Sequence, residues 1–295
     1  MPELPEVETI RRYLVQALVG RQIRRVEHLD PRMVKRSRLS ADEMREGMVG
    51  RTFSKVARRG KFLFASLGAD GSLLLHLGMS GRLLVVPSGA PNELHTHMIL
   101  DLGEYHLRLI DPRRFGRIAW VHSISDAGVS LGVDPLSPRF TGTGLQAIMS
   151  GRKVAVKTAL LNQALVAGLG NIYADEALFR ARIHPLAPAG SLSEGDAERL
   201  ARAIRSVLRL SLQHGGTSFS DYVNALGHPG ENQRYLKVYG REQKPCPRCK
   251  SAIQRLVVGG RSSHYCPVCQ VARRDPARDE SLPLYKKGAL AGAEN

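Results

Sequence analysis

Cys246-Pro247-Arg248-Cys249 and Cys266-Pro267-Val268-Cys269 hold every cysteine of this 295-residue chain. Each C-x-x-C turn offers two thiolates from one tight bend, and a tetrahedral zinc site needs four such soft ligands. The sixteen residues between Cys249 and Cys266 suit a β-ribbon whose two knuckles share one structural metal. A pair of disulfides is the competing reading. It is weak, because C-x-x-C is poor geometry for a structural bridge and nothing marks the chain as secreted. Zinc ribbons serve many tasks, so the pattern points to a fold element rather than to a function.

Working outward, the composition narrows the partner. Lys and Arg number 43 against 27 Asp and Glu, a formal net charge of +16. Such an excess attracts polyanions, nucleic acid first among them, although a solvated basic surface would give the same count. No apolar run approaches the ~20 residues of a membrane span, and the N-terminus lacks the basic and apolar regions of a signal peptide. A cytoplasmic protein with no membrane partner is therefore expected. Two domains suit this length.

The first residues open a helix. Pro5 fits its first turn, Glu6 and Glu8 follow in the positive end of the helix dipole, and Ile10, Leu14 and Leu18 form an apolar stripe that stops at Gly20. From residue 22 the texture changes. Phe62–Leu67, Ser72–Leu77, Arg82–Val86, His97–Leu102, Tyr105–Ile110 and Arg117–Val121 read as strands with Gly or Pro between several of them, which predicts an antiparallel β-sandwich. Residues 132–144 read as a linker. Ser193 with Asp196 resembles a capping box, and the helix that follows runs to Gly215-Gly216. The resulting class is α+β, with residues 1–131 as the sandwich domain, 145–240 helical, 241–270 the ribbon and 271–295 a mobile tail.

Met1-Pro2-Glu3-Leu4-Pro5-Glu6 has a structural reading, a proline-stiffened helix entry, and a chemical one. Methionine before a small residue is commonly removed, which would leave Pro2 with a free secondary amine. An α-amine with pKa near ~7.8 is roughly a tenth to a fifth unprotonated at pH 7, against less than about one part in a thousand for a lysine near ~10.4. It is the better unassisted nucleophile toward a sugar carbon. The iminium it forms keeps its positive charge and favours elimination.

Pro2-Glu3-Leu4-Pro5-Glu6-Val7-Glu8-Thr9, Arg59-Gly60-Lys61, His76-Leu77-Gly78-Met79-Ser80-Gly81, Asp111-Pro112-Arg113-Arg114-Phe115-Gly116, Gly168-Leu169-Gly170-Asn171-Ile172-Tyr173 and the paired C-x-x-C turns occur in this order along almost the whole chain. Together they resemble bacterial formamidopyrimidine-DNA glycosylase, the 8-oxoguanine DNA glycosylase/AP lyase family. The resemblance implies a flanking-helix sandwich followed by a helix–two-turn–helix DNA-binding domain and a zinc finger. It also implies excision of oxidised purines from damaged double-stranded DNA by a monomer without an organic cofactor. Pro2 would attack C1′ and Glu3 would act as general acid/base. Lys61, His95 and Asn171 would meet phosphates, and Arg261, at the glycine-flanked ribbon tip, the phosphate next to the lesion. Met79, Arg113 and Phe115 would fill the void left by the extruded base, Arg113 pairing with the orphaned cytosine. Residues 217–223 would help enclose that base.

Two other readings compete. An endonuclease VIII-type glycosylase shares the Pro-Glu chemistry but prefers oxidised pyrimidines; Leu4 and the intact Arg113-Arg114-Phe115 argue for the purine branch. A non-catalytic zinc-ribbon DNA-binding protein would fit the charge and the cysteines, but not the retention of Pro2, Glu3 and Lys61.

Overall fold

The computed structural model describes residues 2–69, 71–219 and 221–271. The expected mobile tail lies, from residue 272 on, outside the described residues, as does Met1. Helix α1 (Leu4–Leu18) is capped by Glu3 and buries Val7, Ile10, Leu14 and Leu18, spaced three and four apart, so one face meets a core. It ends where Gly20 takes φ +85° and donates its N–H to Phe53 O.

Two four-stranded antiparallel sheets form the sandwich. One has the order β1 (Arg25–Leu29), β6 (Thr96–Asp101), β7 (Tyr105–Ile110), β5 (Arg82–Pro87). The other has the order β2 (Lys55–Arg59), β3 (Phe62–Ser66), β4 (Ser72–His76), β8 (Arg117–Val121). Alternation sets the inner faces: Leu107 and Leu109 from the first sheet share a core with Leu63, Leu73, Leu75, Ile118 and Trp120 from the second. Helix α1 and helix α2 (Ala41–Met48) also bury side chains in that core. The six strands expected from the sequence are present with ends shifted by a residue at most. Strands β1 and β2, short and partly exposed, were not expected, and helix α2 was missed although Ser40 and Glu43 form a capping box at its start.

A second core collects α3 (Gly142–Met149), α4 (Val156–Leu161), α5 (Asn171–Ala181) and α6 (Glu194–Gln213). The capping box holds, with Ser193 Oγ accepting from Asp196 N at 3.2 Å. The expected linker, 132–144, requires correction. Thr141 caps α3, whose first residue is Gly142, and Val133 forms a bridge with Val166. Proline and glycine there mark a docked crossing and a helix start, because their backbone bonds are made locally by Thr141 and by the 162–167 turn. Arg58 fastens this crossing to the sandwich, donating to Glu8 Oε2 at 3.0 Å and Asp134 Oδ2 at 2.8 Å.

Strands β9 (Gln254–Val258) and β10 (Arg261–Tyr265) form the expected hairpin, with Arg261 opposite Val258. Leu4 belongs to the helical core although α1 otherwise packs in the sandwich. The two cores therefore meet at the beginning of α1.

Candidate active site

That meeting point is unusually close. Leu4 N–H donates to Gly168 O at 3.0 Å. Gly168 has φ +89°, and a Cβ there would stand 2.8 Å from Leu4 Cβ; a Cβ on Gly170 would stand 2.3 Å from Glu3 Cδ. Only glycine lets the 168–170 turn press against Glu3. The N-termini of α1 and α5 thus converge on one carboxylate: Glu3 caps α1, and its Oε1 accepts Ile172 N–H from the first turn of α5 at 3.0 Å.

Glu3 is buried, and burial pushes its carboxyl up to about 7 against the opposing pull of Lys61 and the Ile172 amide. Its Oε2 is buried without a hydrogen-bond partner among the described residues. A carboxyl that titrates near neutrality with one uncommitted oxygen is suited to giving and taking a proton. Glu6 sits behind it. Oε2 of Glu6 accepts Glu3 N–H at 2.8 Å, while Oε1 accepts Thr217 N–H at 2.8 Å and the Tyr173 hydroxyl. Tyr173 also bonds the hydroxyls of Ser211 and Thr217. This buried network joins Glu3 to the segment expected to enclose a base, and no sequence motif pointed to it.

Lys61 lies just after the Gly60 turn, buried and within the fields of Glu3 and Arg261. Burial lowers its ammonium pKa, Glu3 opposes that shift and Arg261 adds to it. Asn171, the first residue of α5, donates Nδ2–H to Ser262 O at 3.0 Å, and its Oδ1 is buried with no partner among the described residues. Gly170 is the N-cap. Glu3, Lys61, Asn171 and Arg261, from four distant segments, are therefore brought together as one cluster of two cations and an amide near one carboxylate.

The hairpin carrying Arg261 is held by more than its metal knuckles. Lys157 is wholly buried, pairs with Asp175 at 2.6 Å and donates to Ser262 O at 2.7 Å. Asp175 also accepts Ser263 Oγ–H and His264 N–H, at 3.0 and 2.9 Å. Zinc is thus not the tip's sole support, because α4 and α5 supply a buried ion pair beneath it. Arg248 adds a further tie, donating to Phe179 O and Arg180 O at the end of α5.

The four cysteine sulfurs lie within 4.8 Å of one another, with 3.9 Å between Cys246 and Cys269 and 3.4 Å between Cys249 and Cys266. Tetrahedral thiolates at a Zn–S distance of about 2.3 Å stand about 3.8 Å apart. The set fits zinc, and with four protein ligands it fits a structural zinc. Arg248 N–H and Cys269 N–H each point at a sulfur at 3.4 Å, the amide pattern that supports thiolate charge.

His95, Met79, Arg113 and Phe115 gather elsewhere, on loops at one end of the sandwich. Met79 is 42% exposed and Phe115 56%, so neither is a core residue. His95 has φ +64° and lines a cleft with Arg32, Arg45 and Arg114. His76 stands between the two groups. Burial and then Lys61 push its pKa down to about 4, and its neutral Nδ1 accepts Gly78 N–H at 3.1 Å.

Three family models match the chain: the formamidopyrimidine-DNA glycosylase N-terminal domain over residues 1–118, the formamidopyrimidine-DNA glycosylase H2TH domain over 131–223, and a zinc finger found in FPG and IleRS over 243–271. The formamidopyrimidine-DNA glycosylase of Roseiflexus sp. (strain RS-1) is 45% identical over 274 residues, 92% of this chain and 100% of that protein. A Lactococcus lactis FPG mutant in complex with a Fapy-dG containing DNA superposes with a TM-score of 0.85 at 35% identity, over 92% of this chain and 100% of that one. Lactococcus lactis Fpg in complex with an abasic site containing DNA gives 0.84 at 36% identity, over 91% and 99%. With relatives of this identity matched from end to end, the chain belongs to the formamidopyrimidine-DNA glycosylase family.

Proposed function

We propose that the protein is a bifunctional DNA glycosylase/AP lyase of base excision repair, acting as a cytoplasmic monomer on oxidised purines in duplex DNA. The observation that carries this reading is Glu3, a buried carboxyl near neutrality, one residue from Pro2 and beside Lys61. Removal of Met1 would free the Pro2 amine. Its nitrogen pair attacks C1′ of the damaged nucleotide, the bond from C1′ to the base breaks, and the base leaves with the proton that the attacking nitrogen sheds. Glu3, protonated, gives its proton to the sugar ring oxygen as the ring opens to the iminium. Loss of a proton from C2′ then expels the 3′ phosphate, and a second elimination expels the 5′ phosphate. Water hydrolyses the remaining imine and restores the amine.

Other residues bind and orient. Lys61, Asn171 and Arg261 supply cationic and amide donors for the phosphates on either side of the extruded nucleotide, and His95 meets the backbone farther along. Arg261 suits a bidentate contact. Zinc, when bound, contributes no chemistry to the reaction; Cys246, Cys249, Cys266 and Cys269 fix the hairpin that presents Arg261. Base extrusion costs a few kcal/mol, and Met79 and Phe115, apolar and exposed, fill the vacated stack while Arg113 pairs with the orphaned cytosine. The relatives bound to Fapy-dG and abasic-site DNA support this substrate class.

The test incubates purified protein and borohydride with duplexes containing 8-oxoguanine opposite cytosine or thymine glycol. A reduced adduct on Pro2, formed faster with the purine lesion, is expected. Faster reaction with thymine glycol would move the protein to the pyrimidine-lesion branch, and a sugar trapped on an interior lysine would remove Pro2 from the mechanism.

A further inference from the structure

Asp111 links the loops that carry Met79, Arg113, Phe115 and His95. It is fully buried, and among the described residues no ammonium or guanidinium hydrogen-bonds its carboxylate. Oδ1 accepts the Ser80 hydroxyl at 2.7 Å and Arg113 N–H at 3.3 Å, and Oδ2 accepts Gly116 N–H at 2.7 Å. Its own N–H donates to His95 O at 3.0 Å, and its carbonyl accepts Arg114 N–H at 3.1 Å.

These bonds reach both void-filling loops at once. Ser80 follows Met79, while Arg113 and Gly116 flank Phe115. The loops also touch backbone to backbone: a Cβ on Gly78, at φ +60°, would stand 2.4 Å from Phe115 C, and one on Gly116 would stand 2.9 Å from His76 O. A buried carboxylate satisfied by loop donors fixes loop geometry before any ligand arrives.

We infer that Asp111 is a positioning residue that locks the Met79 loop and the Arg113–Phe115 loop into one preformed wedge. This rests on the reading that those side chains fill the void left by the extruded base. Side chains ordered in advance lose less freedom on insertion, which lowers the cost of extrusion. Loosening the wedge should therefore tax extrusion and the reading of the opposite base, and leave the later eliminations alone.

Asp111→Ala removes both accepting oxygens and leaves the Ser80 hydroxyl and the Arg113 and Gly116 N–H groups without their acceptor. Single-turnover excision of 8-oxoguanine opposite cytosine should fall roughly tenfold, the cost of leaving a buried donor unpaired. The preference for cytosine over adenine opposite the lesion should shrink, and cleavage at an abasic site in single-stranded DNA should keep its rate. Equal losses on the duplex and the single strand would overturn the inference in favour of a general structural role. Should that variant fail to fold, a cycle of Ser80→Ala with Phe115→Ala decides. Joint loss smaller than the product of the single losses is expected, and independent losses would overturn the lock. If Met79→Ala and Phe115→Ala each leave duplex excision unchanged, the void-filling reading itself fails, an outcome separate from failure of the lock.

Discussion

The sandwich and the terminal hairpin both present side chains toward the proposed DNA site, yet they are made rigid by different means. Met79, Arg113 and Phe115 stand on loops rooted in two facing sheets, with Leu75, Leu109 and Ile118 fully packed beneath. Arg261 stands on two short strands whose own buried cluster is Val238, Cys246, Ile253 and Cys266 with Phe179 lent by α5. A domain-sized apolar core stabilises loops by area removed from water. A hairpin of this size has too little area, so it relies on thiolate ligation and on the Lys157–Asp175 pair. Rigidity in one region should therefore be insensitive to loss of the other.

The largest effect expected from that contrast is metal removal, since structural zinc in small fingers contributes about 10–16 kcal/mol of apparent binding energy. Chelation should abolish binding to lesion-containing duplex while far-UV circular dichroism retains the sandwich signal. Concurrent loss of the sandwich would break the comparison.

A buried ion pair that loses one partner costs about 3–5 kcal/mol. Lys157→Met should thus raise hydrogen exchange across residues 254–265 and leave the strands of both sheets protected. The mirror experiment, Leu75→Ala, should cost about 2–5 kcal/mol, lower the melting temperature of the sandwich and leave hairpin exchange unchanged.

Glu3 joins the two regions and predicts a pH dependence. Its folded pKa of about 7 lies above its ordinary 4.5, so between those values the folded chain holds a proton that the unfolded chain has released. The contribution to stability is most favourable below about 4.5 and declines as pH rises to about 7. In the reaction, the acid form empties above about 7 while the Pro2 amine is still being freed up to its ordinary ~7.8, so base excision should fall about tenfold per pH unit above about 8. Glu3→Gln should remove that limb and lower the excision rate by roughly 10²–10⁴. A wild-type profile flat from pH 7 to 9 would contradict the assignment.

The smallest effect is electrostatic. Lys61→Ala should reduce the slope of log affinity against log salt by roughly 0.9, one phosphate's worth. An unchanged slope would take Lys61 away from the DNA backbone.

Much of this was legible locally. The α1 stripe, six strands, the Ser193 capping box and the zinc knuckles each repeat a spacing that the backbone geometry imposes. Exposed β1 and β2 carried no alternation to read, and 141–144 looked like linker because its helix cap uses turn-forming residue types. Among site residues, Glu3 and Lys61 were visible through motif identity. Glu6, Tyr173, Lys157, Asp175 and Asp111 were not singled out as site residues, because each also bonds a partner 30 or more residues away, as with Asp111 and Ser80 at a separation of 31.

The sequence by itself determined most of the element types, the metal ligands and the candidate acid and cations, all properties carried by residue type and short spacing. Tertiary structure decided that Glu3 would sit buried between two helix N-termini with a carboxyl lifted to about 7. It also decided that one buried aspartate would bond two loops at one end of the sandwich. Burial and electrostatic fields depend on which distant segments pack together, and no local pattern encodes that.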